Sequence, residues 1–382
     1  MPSASSDLLR QIRQRPGMYV GDTGGYGLHR LPLLLLQAGA LAASEGCGDE
    51  VSLHLEEGGA CSFSFNGSLW PSLLVPEAPG DSLARLFTLA DADLQAPRPD
   101  GAPEPFLLVS PYEDLALANA LASELEVTLA AGGSTWVQSF RCGEPAGPLR
   151  ALPGSEGGPP PFRGTRIHFV PDPSIFDRPR LSLLGLSWRM EELAALHERV
   201  SFRLRDDARS LEAHHRFERG LVDYAARLSA PELPLHAPWS FQGSHDTTRI
   251  RLSLQWCETP GSRVSSWVNQ LRASGGTHLK GLISGIHGAL HHHAEATRRT
   301  PEFGVYIPSV LTEGLTVLLD VTVPRPVWLG PVKGVLANEE CEFAVEELVQ
   351  TWLSQRFAEE PAVAERAERV LDHVIGRYIA RG

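Results

Sequence analysis

The chain has 382 residues, 42% hydrophobic and 21% charged, long enough for two domains and too apolar for a disordered tail. Its net charge of −12 is unevenly placed: residues 1–162 hold eight arginines, no lysine and nineteen acidic side chains, whereas the remainder is nearly balanced. Such a first half is a poor nucleic-acid binder by bulk electrostatics and a poor start for a triphosphate site.

The longest apolar candidate, residues 31–43, is broken by Pro32, Gln37 and Gly39 and is too short for a membrane span. The opening MPSASSDLLRQIRQRPG lacks the basic-then-apolar order of a secretory leader. Cys47, Cys61, Cys142, Cys257 and Cys341 are odd in number and form no C-x-x-C pair. That usage reads as a reducing, cytoplasmic setting with no cysteine zinc site.

In chain order, residues 31–45 predict a helix with an apolar majority. Residues 51–55 and 60–65 predict a hairpin, its second strand alternating at Cys61, Phe63 and Phe65. Residues 76–105 and 144–161 are dense in Pro and Gly and predict loops. Between them, residues 112–129 predict a helix and then a strand, with Leu115, Leu117, Ala118, Leu121 and Leu125 as apolar positions. A short strand at 166–170 and a helix at 188–197 complete a mixed first half.

The pattern restarts after about residue 228. Strands are predicted at 250–256, 263–271 and 315–323, and helices at 279–293, 340–357 and 361–379. Ala344, Val345, Leu348, Trp352 and Leu353 share one face of the penultimate helix. The expectation is an α/β (α+β) chain of two domains, 1–228 and 229–382.

Several segments carry a family resemblance. IRQRPGMYVGDT at 12–23, followed by Gly27-Leu28-His29, resembles the opening of the ATPase domain of DNA gyrase B and of the related topoisomerase IV protein. GTRIHFVPDPSIF at 164–176 is similar to the strand and turn closing that family's nucleotide pocket, and HRFERGLVDY at 215–224 to its interdomain connection. VNQLRASGGTHLKG at 268–281, Glu313-Gly314-Leu315 and residues 321–326 resemble its second domain. The resemblance implies a Bergerat-type (GHKL) ATPase-like sandwich followed by a transducer domain of ribosomal-protein-S5-domain-2-like fold. It also implies that the sequence ends with the transducer, without the metal-binding (Toprim) domain that joins the cleavage partner.

Carried over position by position, the family's chemistry thins out. Its water-polarising glutamate falls at Leu34, its magnesium-binding asparagine at Ala38, and the histidine that orients the glutamate at Arg30. The i, i+4 spacing puts all three on one helix face, where a general base normally supplies about 10²–10⁴-fold and the metal neutralises charge. Glu45 is about three turns away and Gln37 cannot act as a base. The family's D-G-x-G reads Asn66-Gly67-Ser68-Leu69. Asn66 can still accept from adenine through its carbonyl, at about 1–2 kcal/mol relative to a charged acceptor. Leu69 adds a branched side chain where backbone should approach the base. The glycine-rich lid, counted back from Asn119-Ala120-Leu121, falls at 109–114, which has no glycine, a proline, and the acidic pair Glu113 and Asp114. The transducer's Q-T-K becomes Pro331-Val332-Lys333, so only Lys333 remains as an anion contact. Thr165, at the family's adenine-side threonine, reads as a strand residue kept for packing.

His287, His291, His292 and His293 read as a solvated helix face rather than a metal site, since no carboxylate or cysteine completes a tetrahedral set. GDTGGYG at 21–27 lacks the lysine and preceding strand of a P-loop. The expectation is a catalytically inactive binding or regulatory module that needs no cofactor. Its partner would be another protein, gyrase or a related assembly among the candidates, with nucleic acid bound weakly and no membrane contact. A short N-terminal arm points to a monomer, or to a homodimer indifferent to nucleotide. Two alternatives stand beside it. One is an ATP- and magnesium-dependent topoisomerase ATPase fragment working with a separate cleavage subunit. The other is a module binding a small apolar ligand beside Leu34 and Ala38.

Overall fold

A computed structural model describes residues 4–69, 82–88, 111–131, 134–152, 163–177, 181–259, 261–298, 308–329 and 334–379. Its contacts divide into two compact units, the first ending at Glu218 and the second beginning at Arg219.

The first unit opens with α1 (Ala4–Gln14), α2 (Gly17–Val20) and α3 (Gly25–Ser44), then β1 (Glu50–Leu55), β2 (Cys61–Phe65), α4 (Ser82–Leu86) and α5 (Pro111–Ala120). There follow β3 (Ala122–Ala131), β4 (Ser134–Arg141), β5 (Glu144–Pro145), β6 (Arg150–Leu152), β7 (Thr165–Pro171), α6 (Leu183–Leu196), β8 (Ser201–Asp206) and β9 (Leu211–His215). The strands form one sheet in the order β5-β4-β3-β7-β2-β1-β8-β9, with β6 also paired to β4. Only β1 and β8 run parallel; every other pair is antiparallel. Helices α3, α5 and α6 pack on β1, β2, β3 and β8.

Alternation decides which strand face the helices cover. Cys61, Phe63 and Phe65 are buried, as are Val51, Leu53 and Leu55 opposite them, while Ser62 and Ser64 point the other way. Along β3, Leu125, Val127 and Leu129 are buried and Glu124 and Glu126 exposed. That is the two-faced pattern of an antiparallel sheet with one wet side. Within the Pro/Gly-rich stretch expected to be loop, β5 and β6 add short edge pairings on β4, because extended backbone beside an open edge satisfies its own N–H groups there.

The second unit contains α7 (Leu221–Ser229), β10 (Trp239–His245), β11 (Thr248–Trp256), β12 (Arg263–Val268), β13 (Leu271–Ala273), β14 (Gly275–Gly276), α8 (Thr277–Ala296) and α9 (Pro308–Leu311). It ends with β15 (Leu315–Thr322), β16 (Trp328–Leu329), β17 (Val335–Leu336), α10 (Glu339–Glu359) and α11 (Pro361–Ile379). One sheet has the order β10-β11-β15-β12-β13 and a small one the order β14-β17-β16. Strand β15 is central and buried on both faces, which explains why its apolar residues Val317, Leu318 and Leu319 run consecutively; α7 packs on it and on β11. Its one carboxylate, Asp320, is met by Arg251 from β11 at 2.5 Å.

The single strand expected at 263–271 is in fact a hairpin. Asn269 and Gln270 both adopt positive φ, the geometry of a two-residue turn whose twist matches the strands. Asn269 also donates to the Val323 carbonyl and accepts from the Val323 N–H, so the turn is fixed to the end of β15. Helices α8 and α10 meet along Gly281, Gly285 and Gly288, where an added Cβ would lie 2.2 Å from the Glu342 carbonyl oxygen, 2.8 Å from that of Glu346 and 2.7 Å from the Gln350 side chain. Among the described residues, no helix is long and apolar enough to cross a membrane.

Candidate functional site

The face singled out by the sequence lies on α3, whose entry is built by Asp22. One oxygen of that carboxylate accepts from the Gly24 N–H at 2.9 Å and the Gly27 N–H at 2.8 Å, satisfying donors at the helix start. Gly27 is required here because a Cβ would come within 1.9 Å of the Asp22 carbonyl. The neighbouring His29 accepts from the Ser182 N–H and donates to the Gly25 carbonyl, which leaves its ring no free nitrogen. The helix runs through Pro32 despite the lost hydrogen bond, because twelve of its twenty residues are buried.

Leu34 is 5% exposed and Ala38 9%, and both belong to the apolar core under the sheet. Gly39, one residue on, lets the helix sit against the Phe63 ring. Arg30 is half-buried, and its Nε makes no hydrogen bond. The three positions therefore offer one guanidinium and two hydrocarbon side chains. They do not fit a magnesium–nucleotide complex, since neither 34 nor 38 supplies an oxygen for the metal or a base for water.

The second expected element is the turn after β2. Asn66 is occupied: its Oδ1 accepts from the Asp49 and Glu50 N–H groups at 2.9 and 3.0 Å, and its Nδ2 donates to the Asp49 carboxylate. Its carbonyl thus holds the start of β1. Gly67 lies against the Cys47 carbonyl, where a Cβ would come within 1.6 Å. Leu69 is buried, and its N–H reaches Thr165 Oγ1 at 3.4 Å. Thr165 is fully buried on β7 and donates to the Gly67 carbonyl, so its hydroxyl closes the turn. Gly164 has φ +92° and passes so close to Phe65 and Asn66 that no side chain would fit. The motif positions that persist all answer a backbone demand.

Lys333 and residues 109–110 of the expected lid lie outside the described residues. Pro111 opens α5, so helix starts where the family would place glycines. The histidine run does not form one solvated face. His291 and His292 are exposed, but His293 is buried against Phe357, because two residues along a helix turn a side chain well away from the first. Among the described residues, no three histidines, cysteines, aspartates or glutamates gather into a metal site. All five cysteines are unpaired, and burial pushes the Cys341 thiol up to about 12.

Sequence reading gave no structural role to Asp172 or Asn119. Arg13 of α1 donates to Asp172 at 2.5 Å and to the Ala120 carbonyl at 2.7 Å, tying the first helix to β7 and α5. Burial raises the Asp172 carboxyl, but hydrogen bonds from Ser174 and Arg13 outweigh it and hold it below the usual carboxylate range. Asn119 is fully buried and donates to the carbonyls of Phe87 and Gly143. A lone polar residue in an apolar helix stretch is the signal that would have found it.

A helix-backed mixed sheet followed by a second α/β unit defines the class: a Bergerat-type ATPase-like sandwich followed by a transducer domain. The B-subunit of the DNA gyrase from Myxococcus xanthus matches with a TM-score of 0.76 at 29% identity, over 94% of this chain and 99% of that one. The 43K ATPase domain of Thermus thermophilus gyrase B, solved in complex with an aminocoumarin, matches with a TM-score of 0.77 at 26% identity over 99% of both chains. The DNA gyrase B family profile matches residues 220–382. The mitochondrial DNA gyrase B of Arabidopsis thaliana is 28% identical over 94% of this chain and 50% of its own length. The DNA gyrase B of Treponema pallidum is 28% identical over 98% of this chain and 59% of its own. The chain is similar along nearly its whole length to DNA gyrase B, and spans about half the length of the curated relatives it matches.

Proposed function

We propose that this chain is a nucleotide-independent binding module built on the gyrase B scaffold, acting in the cytoplasm through a protein partner rather than by hydrolysing ATP. The observation that carries the reading is the buried, apolar character of Leu34 and Ala38 on the α3 face. The occupied state of Asn66 and the enclosure of Leu69 support it, because both remove adenine-side contacts. A carboxylate and a metal ligand cannot be replaced by hydrocarbon without losing both water activation and charge neutralisation.

Calorimetry with ATP and magnesium tests this directly: no heat of binding is expected, and a micromolar dissociation constant would overturn it. An aminocoumarin is a second probe, with no thermal shift expected. DNA-stimulated ATP hydrolysis that falls on Lys333→Ala would establish the enzymatic alternative instead.

A further inference from the structure

The second unit carries an open groove of about 640 Å³ whose lining includes none of Arg30, Leu34, Ala38, Asn66 or Thr165. One wall is the start of α8, with Gly276, Thr277 and Lys280; the other is α10, with Glu339, Glu342, Phe343 and Glu346; β16 and β17 form its floor. The α10 residues follow an i, i+3, i+4, i+7 pattern, which sets them along one helix face.

The character of that face is unusual in two ways. Phe343 and Leu329 are each 61% exposed, large apolar groups beside carboxylates, with the Phe343 ring meeting His245 edge-on. Lys280 is 4.0 Å from Glu342, while Glu339 and Glu346 make no ion pair among the described residues. Among the described residues the groove therefore has three carboxylates against one ammonium. Glu339 and Glu342 also oppose the dipole at the α10 N-terminus, an ordinary role. Glu346 is two turns in, beyond the reach of that effect. Thr277 also lines the groove; it is 7% exposed, and its hydroxyl oxygen is itself enclosed, with no hydrogen-bond partner among the described residues.

We infer that this groove is a docking site for a basic amphipathic segment of another protein, its lysines or arginines facing Glu339, Glu342 and Glu346 and its apolar face seated on Leu329 and Phe343. Charge complementarity selects the occupant: an acidic segment would meet excess negative charge, and a purely apolar one would strand the carboxylates. The groove would take such a segment whether or not the α3 face binds nucleotide.

The probe is a dye-labelled amphipathic leucine–lysine peptide titrated into the full chain by fluorescence anisotropy. Its leucine–glutamate counterpart and spermine serve as comparison ligands. Saturable binding is expected, weakened about tenfold by the Glu339→Gln/Glu346→Gln pair and by raising salt, and weakened separately by Phe343→Ala. Glu212→Gln, the same charge change on exposed β9, leaves it unaltered. Thermal melts confirm that each variant is folded, since all these side chains are on the surface. Equal binding by the leucine–glutamate peptide, or insensitivity to the groove substitutions, overturns the proposal. Displacement of the peptide by spermine at equal concentration also overturns it, because the apolar contacts would then contribute nothing.

Discussion

Helices α3 and α8 have the same length of twenty residues, both are capped by a glycine, and neither has an acidic residue in its first turn. Their interiors differ. Every buried residue of α3 is apolar or glycine. Those of α8 include Thr277, His278 and His293, and its glycines admit α10 closely enough to form a charged groove. A helix start can stabilise negative charge only where polar groups face the ligand. By that measure α3 serves as packing, whereas α8 and α10 carry polar and charged side chains along their shared groove.

The sharpest way to break this comparison is to restore the missing carboxylate. Leu34→Glu would bury an acid at a site 5% exposed, with hydrocarbon at Ala38 and only the half-buried Arg30 guanidinium one turn away on that face. The expected cost is about 3 kcal/mol or more, read as a lowered urea midpoint, with no gain in ATP hydrolysis. Leu34→Met, which keeps volume, should cost less than about 1.5 kcal/mol. A Leu34→Glu protein as stable as the parent would mean that the α3 face is wetter than its packing implies.

Next in size is the response of the second unit to acid. His278 is fully buried on α8, its Nε2 donating to Ser266, whose hydroxyl donates in turn to the Ala273 carbonyl; its Nδ1 has no partner. Burial pushes it from 6.5 down to about 4, and burial likewise brings His236, tilted against the Trp239 ring at 4.3 Å, to about 4. The sign follows from proton counting. Between about pH 6.5 and 4 the unfolded chain binds protons that the folded one refuses, so stability is complete above that window and falls as pH drops through it. Each histidine accounts for about 3 kcal/mol across the full window. Denaturant titrations at stepwise lower pH should show the loss, and His278→Gln should flatten it.

A smaller effect is expected from the glycine seam. Gly281→Ala places a methyl 2.2 Å from a backbone oxygen, so α8 and α10 must separate. Overpacking of about 1–3 kcal/mol is offset by up to about 1 kcal/mol of helix propensity, leaving a thermal midpoint lowered by a few degrees. Gly376, with no atom near its Cβ position, should gain on the same substitution.

What could be read from the chain was whatever one element settles alone. The alternation at Cys61, Phe63 and Phe65, the apolar run of β15 and the amphipathic face of α10 each declare their partners by period. The hairpin at Asn269 was hidden because its two turn residues sit inside a strand-like run, and only positive φ betrays them. Likewise the positions Arg30, Leu34 and Ala38 were legible as a shared face, but the engagement of Asn66 depends on β1 and β2 being neighbours. The groove was out of reach for the same reason. Thr277 and Lys280 lie some sixty residues from Glu339 and Glu346, and glycine spacing on α8 was the one local hint that another helix comes close.

The smallest effect separates folding from recognition at Lys280. Its side chain is 70% exposed, and its partner Glu342 lies 4.0 Å away, so screening by water leaves the pair contributing little to stability. Lys280→Ala should therefore move the melting transition by less than about 0.5 kcal/mol equivalent. Binding of the leucine–lysine peptide should change in the opposite sense from every other groove substitution. Removing this cation leaves the three carboxylates less opposed, and affinity should rise about two- to threefold at low salt, an advantage that disappears as ionic strength increases. Weaker binding by Lys280→Ala would mean that the ammonium contacts the incoming segment itself, and the polarity assigned to the groove would have to be reversed.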